Sequence, residues 1–463
     1  MEFCKIPVEY QLLLKKKLRL VYLKYLSLQI VKTKFRIMKK TLRSFLLVAL
    51  GVMLLTPVIK AQDNDKPKAF GIAFHGYVKN DFFYDSRQTV DAREGHLLLW
   101  PSAPSLDAND DDINAHGSFN FLAIQTRLKG VITAPDAFGA KTSGVIEGEF
   151  FGHTNGDING FRLRHAIVKF DWEKSHLMTG QYWHPMFIVE CFPGTVSFNT
   201  GMGYAPFSRN PQIRYSFTAG GLKISATAYS ERDFSSRDIT GTISSSSSSY
   251  MRNSGIPGAN LHLNYGTKNA DAGTAFNSGF AVNYHTMLPS MTTTTGYITN
   301  QTVTSISGLA YVNAKMSKIN IKLAGTYCEN PVGMMMPGGY AILDIIDVAT
   351  SEVSYIPTRC AAGWIDISST GKKWKFGVFA GYNQNLGTAE DIIGTPGGLG
   401  TNIEHLYRVS PRINFYTGKI QIGAEIEYTV AAYGDGTYDS KGIPLNPEEV
   451  ANIRFITGIY YHF

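Results

Sequence analysis

The chain has 463 residues, 44% of them apolar and only 17% charged, with 45 glycines, 25 tyrosines and 27 phenylalanines. So few charges in so aromatic a chain exclude a disordered segment or a nucleic-acid-binding arm. A mean hydropathy close to zero excludes a bundle of membrane-spanning helices, each of which needs about 20 apolar residues in a row.

The formal charge of +7 is local. Residues 1–61 hold 13 of the 44 basic and 2 of the 37 acidic residues, so the remainder carries 31 against 35 and is net −4. Residues 1–37 are basic and amphipathic, and read as a start called too early, with Met38 the true start, or as a basic leader on a membrane surface. Residues 38–61 have the layout of a secretory signal peptide: Met38-Lys39-Lys40-Thr41-Leu42-Arg43 is positive, Phe45–Leu55 is apolar, and Ala61 stands at the cleavage position before Gln62. Beyond it lie Cys191, Cys328 and Cys360, with no Cys-x-x-Cys or Cys/His cluster to suggest a metal.

Residues 62–463 read as a single all-β unit. Ile420–Val430 alternates Ile420, Ile422, Ala424, Ile426, Tyr428 and Val430 with Gln421, Gly423, Glu425, Glu427 and Thr429. A period of two over about ten residues is a strand with two chemically different faces. Sixteen such segments begin near residues 69, 118, 143, 159, 176, 211, 221, 259, 277, 304, 319, 355, 373, 402, 419 and 450. Their connections alternate between long polar loops, such as 88–117, 188–210 and 330–354, and tight turns such as Asp171–Ser175 and Tyr416–Lys419. Long loops on one rim, short turns on the other and an even strand number describe a closed antiparallel transmembrane β-barrel. A sheet in hydrocarbon must close, because every backbone group has to be paired. Trp172, Trp183, Trp364, Trp374, Tyr407 and Tyr460 are expected at the interfacial girdles.

The final strand, ending on Phe463 with aromatic or aliphatic residues at alternate positions, resembles the closing signal of bacterial outer-membrane barrels. Gly160-Phe161-Arg162-Leu163-Arg164-His165-Ala166, followed by Gly180-Gln181-Tyr182-Trp183-His184-Pro185, resembles the phosphate-selective and DcaP-like porins. In those, an Arg-rich strand precedes a Gly-Gln-aromatic strand and a long third loop. The resemblance implies a passive outer-membrane channel, a homotrimer, contact with outer-membrane lipid, and small hydrophilic solutes. The loop 188–210 has Arg209 but no lysine cluster, so a preference for phosphate does not carry over.

Strand phase assigns the charged positions to the interior. The expected channel-lining set is Arg127, Lys129, Glu147, Glu149, Arg162, Arg164, Arg214, Lys322, Lys375, Arg408, Arg412, Glu425 and Glu427, joined by Lys223, Glu404 and Arg454. Fixed charges along a water-filled pore select ions by sign. Arg162 and Arg164 with Arg127 and Lys129 are then expected to favour anions, with Glu425 and Glu427 opposing them. Alternatively, Glu147 and Glu149 neutralise the basic strands on either side and brace the wall. Both readings stay open. The run Asp107–Asp112 lacks the glycine of a calcium loop and reads as a solvated acidic segment, and Met334-Met335-Met336 reads as loop packing. No metal, cofactor or nucleic-acid partner is implied. No G-x-S-x-G, H-E-x-x-H, P-loop or dinucleotide fingerprint points to an enzyme. The competing functions are a plugged structural or adhesin-type barrel acting through its surface loops, and a hydrolase at the barrel rim.

Overall fold

The computed structural model describes residues 70–239 and 246–463, so the leader and signal segments fall outside the described residues. Sixteen barrel strands follow one another. They are β1 (Gly71–Asp85), β2 (Ser118–Leu122 continued by Arg127–Thr133), β3 (Lys141–Glu149), β4 (Arg162–Asp171), β5 (Ser175–Trp183) and β6 (Arg209–Ala219). Next come β7 (Leu222–Tyr229), β8 (Gly258–Asn269), β9 (Thr274–Met287), β10 (Val303–Lys315) and β11 (Ile319–Glu329). The last are β12 (Arg359–Ser369), β13 (Trp374–Gly387), β14 (Ile403–Thr417), β15 (Ile420–Tyr433) and β16 (Glu448–His462). Each pairs antiparallel with its sequence neighbours, and β1 also pairs with β16 from Tyr77↔His462 to Asp85↔Arg454, closing the barrel.

Alternation explains the two faces. On β16, Ile453, Phe455, Ile459 and Tyr461 point outward and stay exposed, as does the terminal Phe463, while Asn452, Arg454 and Ile456 between them are buried. An apolar outer wall and paired backbone are what a membrane span requires.

Strict alternation fails on β4. The pairing with β3 slips between Glu147↔His165 and Gly148↔Leu163, leaving Arg164 as an extra residue in a β-bulge. A bulge shifts the phase of everything beyond it. The sequence phase puts Ile167 on the outer face with Leu163, but in the structure Ile167 is buried and Val168 is the exposed one. Lys169, opposite the inward Ser143, therefore faces the interior.

The aromatic expectations divide in the same way. Trp374 is exposed on the outer wall, whereas Trp364 and Tyr460 are buried inside. Trp183 stacks on Phe187 with ring centroids 4.0 Å apart, inside the barrel. Each follows from phase, since Trp364 shares a face with Asp366 and Cys360, both buried. Cys328 is directly opposite Cys360 across β11 and β12, and both thiols are free and buried.

Two long loops turn inward. The loop after β1 (86–117) forms a hairpin of Thr89–Ala92 with Leu97–Pro101, and its Leu97, Leu98, Leu99 and Trp100 are at most 3% exposed. The loop after β5 (184–208, hereafter loop 3) contributes Met186, Phe198, Met202, Tyr204 and Phe207 to the same apolar cluster. Met334, Met335 and Met336, in the loop after β11, pack there as well. Gly338–Asp347, Glu352–Pro357 and Ile393–Leu399 form a separate three-stranded sheet from the loops after β11 and β13.

Candidate functional site: the barrel interior

Loop 3 crosses the interior and is held on several sides. On the β10–β12 wall, Asn313 donates to the carbonyl of Glu190 (2.8 Å) and Lys322 to that of Phe192 (2.9 Å). The Gly194 amide donates to Asp366 at 3.3 Å. Asn383 on β13 donates to the Gly203 carbonyl at 2.7 Å. On the far side, Glu425 accepts from the Val196 amide, Glu427 from Asn199 (2.7 Å), and the Val196 carbonyl accepts from Lys79 (3.0 Å). The expected acidic pair of β15 therefore anchors a loop.

Glycine at inward strand positions lets the loop come this close. A Cβ on Gly381 would stand 2.6 Å from Tyr204, and one on Gly423 2.8 Å from Val196. Glycine inside a strand marks such an approach, and it is the sequence signal that could have located these contacts.

On the long-loop side of the interior, charges are paired and dry. Glu149 takes Arg164 at 2.6 Å, Arg162 at 2.9 Å, Arg127 at 3.1 Å and Arg209 at 3.5 Å. Glu147 takes Arg164 at 2.7 Å and Arg127 at 3.7 Å, and Asp233 takes Arg209 at 2.9 Å and Arg162 at 3.4 Å. Arg164 and Arg209 also lie over the Trp183 ring. Four arginines thus share three carboxylates, and Glu149 has no exposed surface at all. Arg454 pairs with Asp85 at 2.6 Å and Lys79 with Asp81 at 2.9 Å, and nearer the short turns, where Asp366 stands opposite Lys322, Arg412 pairs with Asp366 at 2.8 Å. Arg408 donates to Thr429 and to the Leu99 carbonyl of the loop-1 hairpin, both at 2.8 Å. Buried pairs of this kind brace a structure, because losing either partner strands a charge away from water.

Toward the short-turn rim the interior differs. Lys129, Lys169, Arg214, Lys223, Lys322 and Lys375 face inward and are all partly exposed. Among the described residues, Lys129, Lys169, Arg214, Lys322 and Lys375 make no ion pair. Arg214 donates to Gln212 at 2.9 Å, and Lys375 lies over the Tyr416 ring at 4.7 Å. Lys223 reaches Glu190 of loop 3 only at 3.9 Å. Lys169, missed in the sequence because of the bulge, belongs to this group.

The acidic run of the first loop builds its turns. Asp107 accepts from the amides of Asn109 and Asp111, which hold its carboxyl below the usual range, and Asp112 accepts from the amides of Ser105 and Asn114 and pairs with Arg87. Among the described residues no cluster of His, Cys, Asp and Glu suits a metal ion.

No protein-family model matches the sequence, and no curated protein does. Solved structures do match the fold. The outer-membrane channel DcaP of Acinetobacter baumannii is 14% identical over 86% of this chain and 99% of its own, with a TM-score of 0.62. An anion-selective porin from Comamonas acidovorans is 10% identical over 85% of this chain and all of its own, with a TM-score of 0.51. The closed sixteen-strand antiparallel barrel is a fold this chain shares with these outer-membrane porins.

Proposed function

We propose that this protein is an outer-membrane porin through which small hydrophilic solutes diffuse passively, anions in preference to cations. The observation that carries the sign is the unpaired group Lys129, Lys169, Arg214, Lys322 and Lys375 in the short-turn half. Fixed charge that is partly hydrated and uncompensated raises the local concentration of the opposite ion. The four clustered arginines of the other half are offset by three carboxylates where they stand and are covered from water, so they contribute less field. The Comamonas acidovorans barrel of the same fold is itself an anion-selective porin, which supports the reading. The homotrimer implied by the resemblance belongs to it too. Short turns face the periplasm in barrels of this class, so the cations would meet solute on the periplasmic side. The experiment is a planar bilayer carrying the purified protein in a dilute salt gradient. An anion-preferring reversal potential is expected, and a cation-preferring one overturns the sign.

A second reading has an observation of its own. Around the barrel, inward residues of the long-loop half are buried on every wall, from Asp85 and Glu149 through Arg209, Asn283, Cys328 and Asn383 to Glu427 and Arg454. This favours a plugged barrel that acts through its surface loops. The same bilayer decides between them, since a plugged barrel adds no conductance.

A further inference from the structure

Beyond residue 61 the chain has three cysteines, and the fold sets two of them side by side. Cys328 on β11 and Cys360 on β12 are direct partners in the antiparallel register, so their side chains leave the sheet on the same, inward face. Neither is more than 1% exposed. The Cys360 thiol meets the Cys328 thiol and the side chain of Asn383 on β13. Facing Cα atoms in an antiparallel pair stand about 4.5–5.5 Å apart, inside the roughly 4.4–6.8 Å that a disulfide spans. Cys191 is no rival partner. Its thiol is held by the Val312 and Leu323 carbonyls at 3.4 and 3.7 Å, and Leu323 lies about 17 Å along β11 from Cys328.

The two cysteines stand at the feet of the loop after β11, and that loop backs loop 3. Just above them the Asn330 amide donates to the Thr358 carbonyl at 2.9 Å, bringing the two sides of the loop together. Farther on, the Met334 carbonyl accepts from the Phe207 amide of loop 3 at 2.9 Å. Met334, Met335 and Met336 pack in one apolar cluster with Phe198, Met202 and Tyr204 of loop 3. Asn383, which touches Cys360, also donates to the Gly203 carbonyl of loop 3. A covalent bond between the feet therefore bears on two of the contacts that hold loop 3.

Resting on the outer-membrane reading above, which takes the chain through an oxidising compartment, we infer that Cys328 and Cys360 are a modification site, joined by a disulfide in the mature barrel, and that the bond fixes the base of the loop behind loop 3. The oxidant is another disulfide, that of an exported dithiol–disulfide oxidoreductase or of a small molecule. One cysteine thiolate attacks it, forming a mixed disulfide and expelling a first thiolate. The other cysteine thiolate attacks the chain's own sulfur in that mixed disulfide, closing the Cys328–Cys360 bond and expelling the second. Two electrons pass to the oxidant, which takes up the two protons of the cysteines and leaves as thiols. In the finished barrel neither sulfur is open to a partner. Exchange therefore precedes closure of the barrel, and the bond once made is shielded from reductants.

The test has two arms, both on the full chain. In the first, membranes are quenched with iodoacetamide in denaturant without reductant, and the peptides carrying the three cysteines are weighed. Cys191 is expected to be alkylated, with the Cys328 and Cys360 peptides joined and separating only on reduction. Finding all three alkylated without reductant overturns the bridge and leaves the porin reading intact. In the second arm the same chain is refolded into detergent in its oxidised and in its reduced form, so that only the bond differs. The reduced form, and Cys328→Ser with Cys360→Ser, are expected to unfold at lower guanidinium concentration than the oxidised form and to add current noise in planar bilayers. Equal midpoints overturn the fixing of the loop, and so does equal noise in barrels that conduct. A bridged barrel with the higher midpoint that passes no current overturns the channel reading and upholds the bridge.

Discussion

The two halves of the interior hold the same kinds of residue and use them in opposite ways. In the long-loop half, Arg162, Arg164, Arg209 and Arg127 close on Glu147, Glu149 and Asp233 within 2.6–3.7 Å, under loops that exclude water. In the short-turn half, Lys129 stands opposite Glu147 in the register between β2 and β3, yet it makes no ion pair and keeps part of its surface in water. The lesson is that an inward charge does not by itself line a pore. Whether it braces the wall or acts on solute depends on a carboxylate within reach and on what covers it.

The sharpest way to break this comparison is Glu149→Gln. Removing the one charge shared by all four arginines leaves them on two carboxylates, Glu147 and Asp233, in a buried site, and the barrel is expected to lose about 3 kcal/mol in denaturant unfolding from detergent or lipid. A loss below about 1 kcal/mol would mean that the cluster is hydrated. Next in size is Asn383→Ala, which frees the Gly203 carbonyl of loop 3. It should cost about 1 kcal/mol and appear as added current noise in single-channel records, while quiet traces at wild-type level would deny the anchor.

Selectivity probes the other half. Lys129→Gln with Lys375→Gln is expected to lower the anion-to-cation permeability ratio about two-fold in dilute salt. The wild-type preference itself should fade between about 0.01 M and 1 M salt, as the Debye length falls from roughly 30 to 3 Å. A preference indifferent to salt would assign it to size. The smallest effect is that of the same double variant on stability, expected within about 0.5 kcal/mol of wild type, since neither lysine is paired. A loss as large as that of Glu149→Gln would erase the distinction between the halves.

Much of this was legible in the sequence. The period of two, sixteen times over, and the sorting of loops by length specify the closed barrel, because each strand carries its own two-faced signal. The inward phase of Glu147, Glu149, Arg408, Arg412, Glu425 and Glu427 was legible for the same reason. What alternation cannot encode is a bulge, so Ile167 was placed on the outer face and Lys169 was not among the residues expected inside. It also carries no information about loops. That Glu425 holds loop 3, or that Arg408 holds the loop-1 hairpin, depends on contacts between segments more than 200 residues apart. Trp364 and Tyr460 show a further limit, since an aromatic ring suits an interface girdle and a packed interior equally.

The seam between β1 and β16 has a consequence for how the chain is assembled. Tyr77 and His462 are partners 385 residues apart in sequence, and Gly76 and Phe463 exchange backbone bonds at the end of the seam. The entropy of closing so long a loop grows only logarithmically, so the finished barrel bears little extra cost. The timetable bears it instead, because contacts between distant residues form slowly. Every other pairing within the barrel joins strands adjacent in the chain and can form as a succession of hairpins, whereas this one must wait for its partner. Until it forms, the β1 edge and the free edge of the growing sheet each present a row of unpaired amides and carbonyls, which hydrocarbon cannot satisfy. Entry into the bilayer and sealing of the seam are therefore coupled, and anything that aids insertion has those two edges to cover.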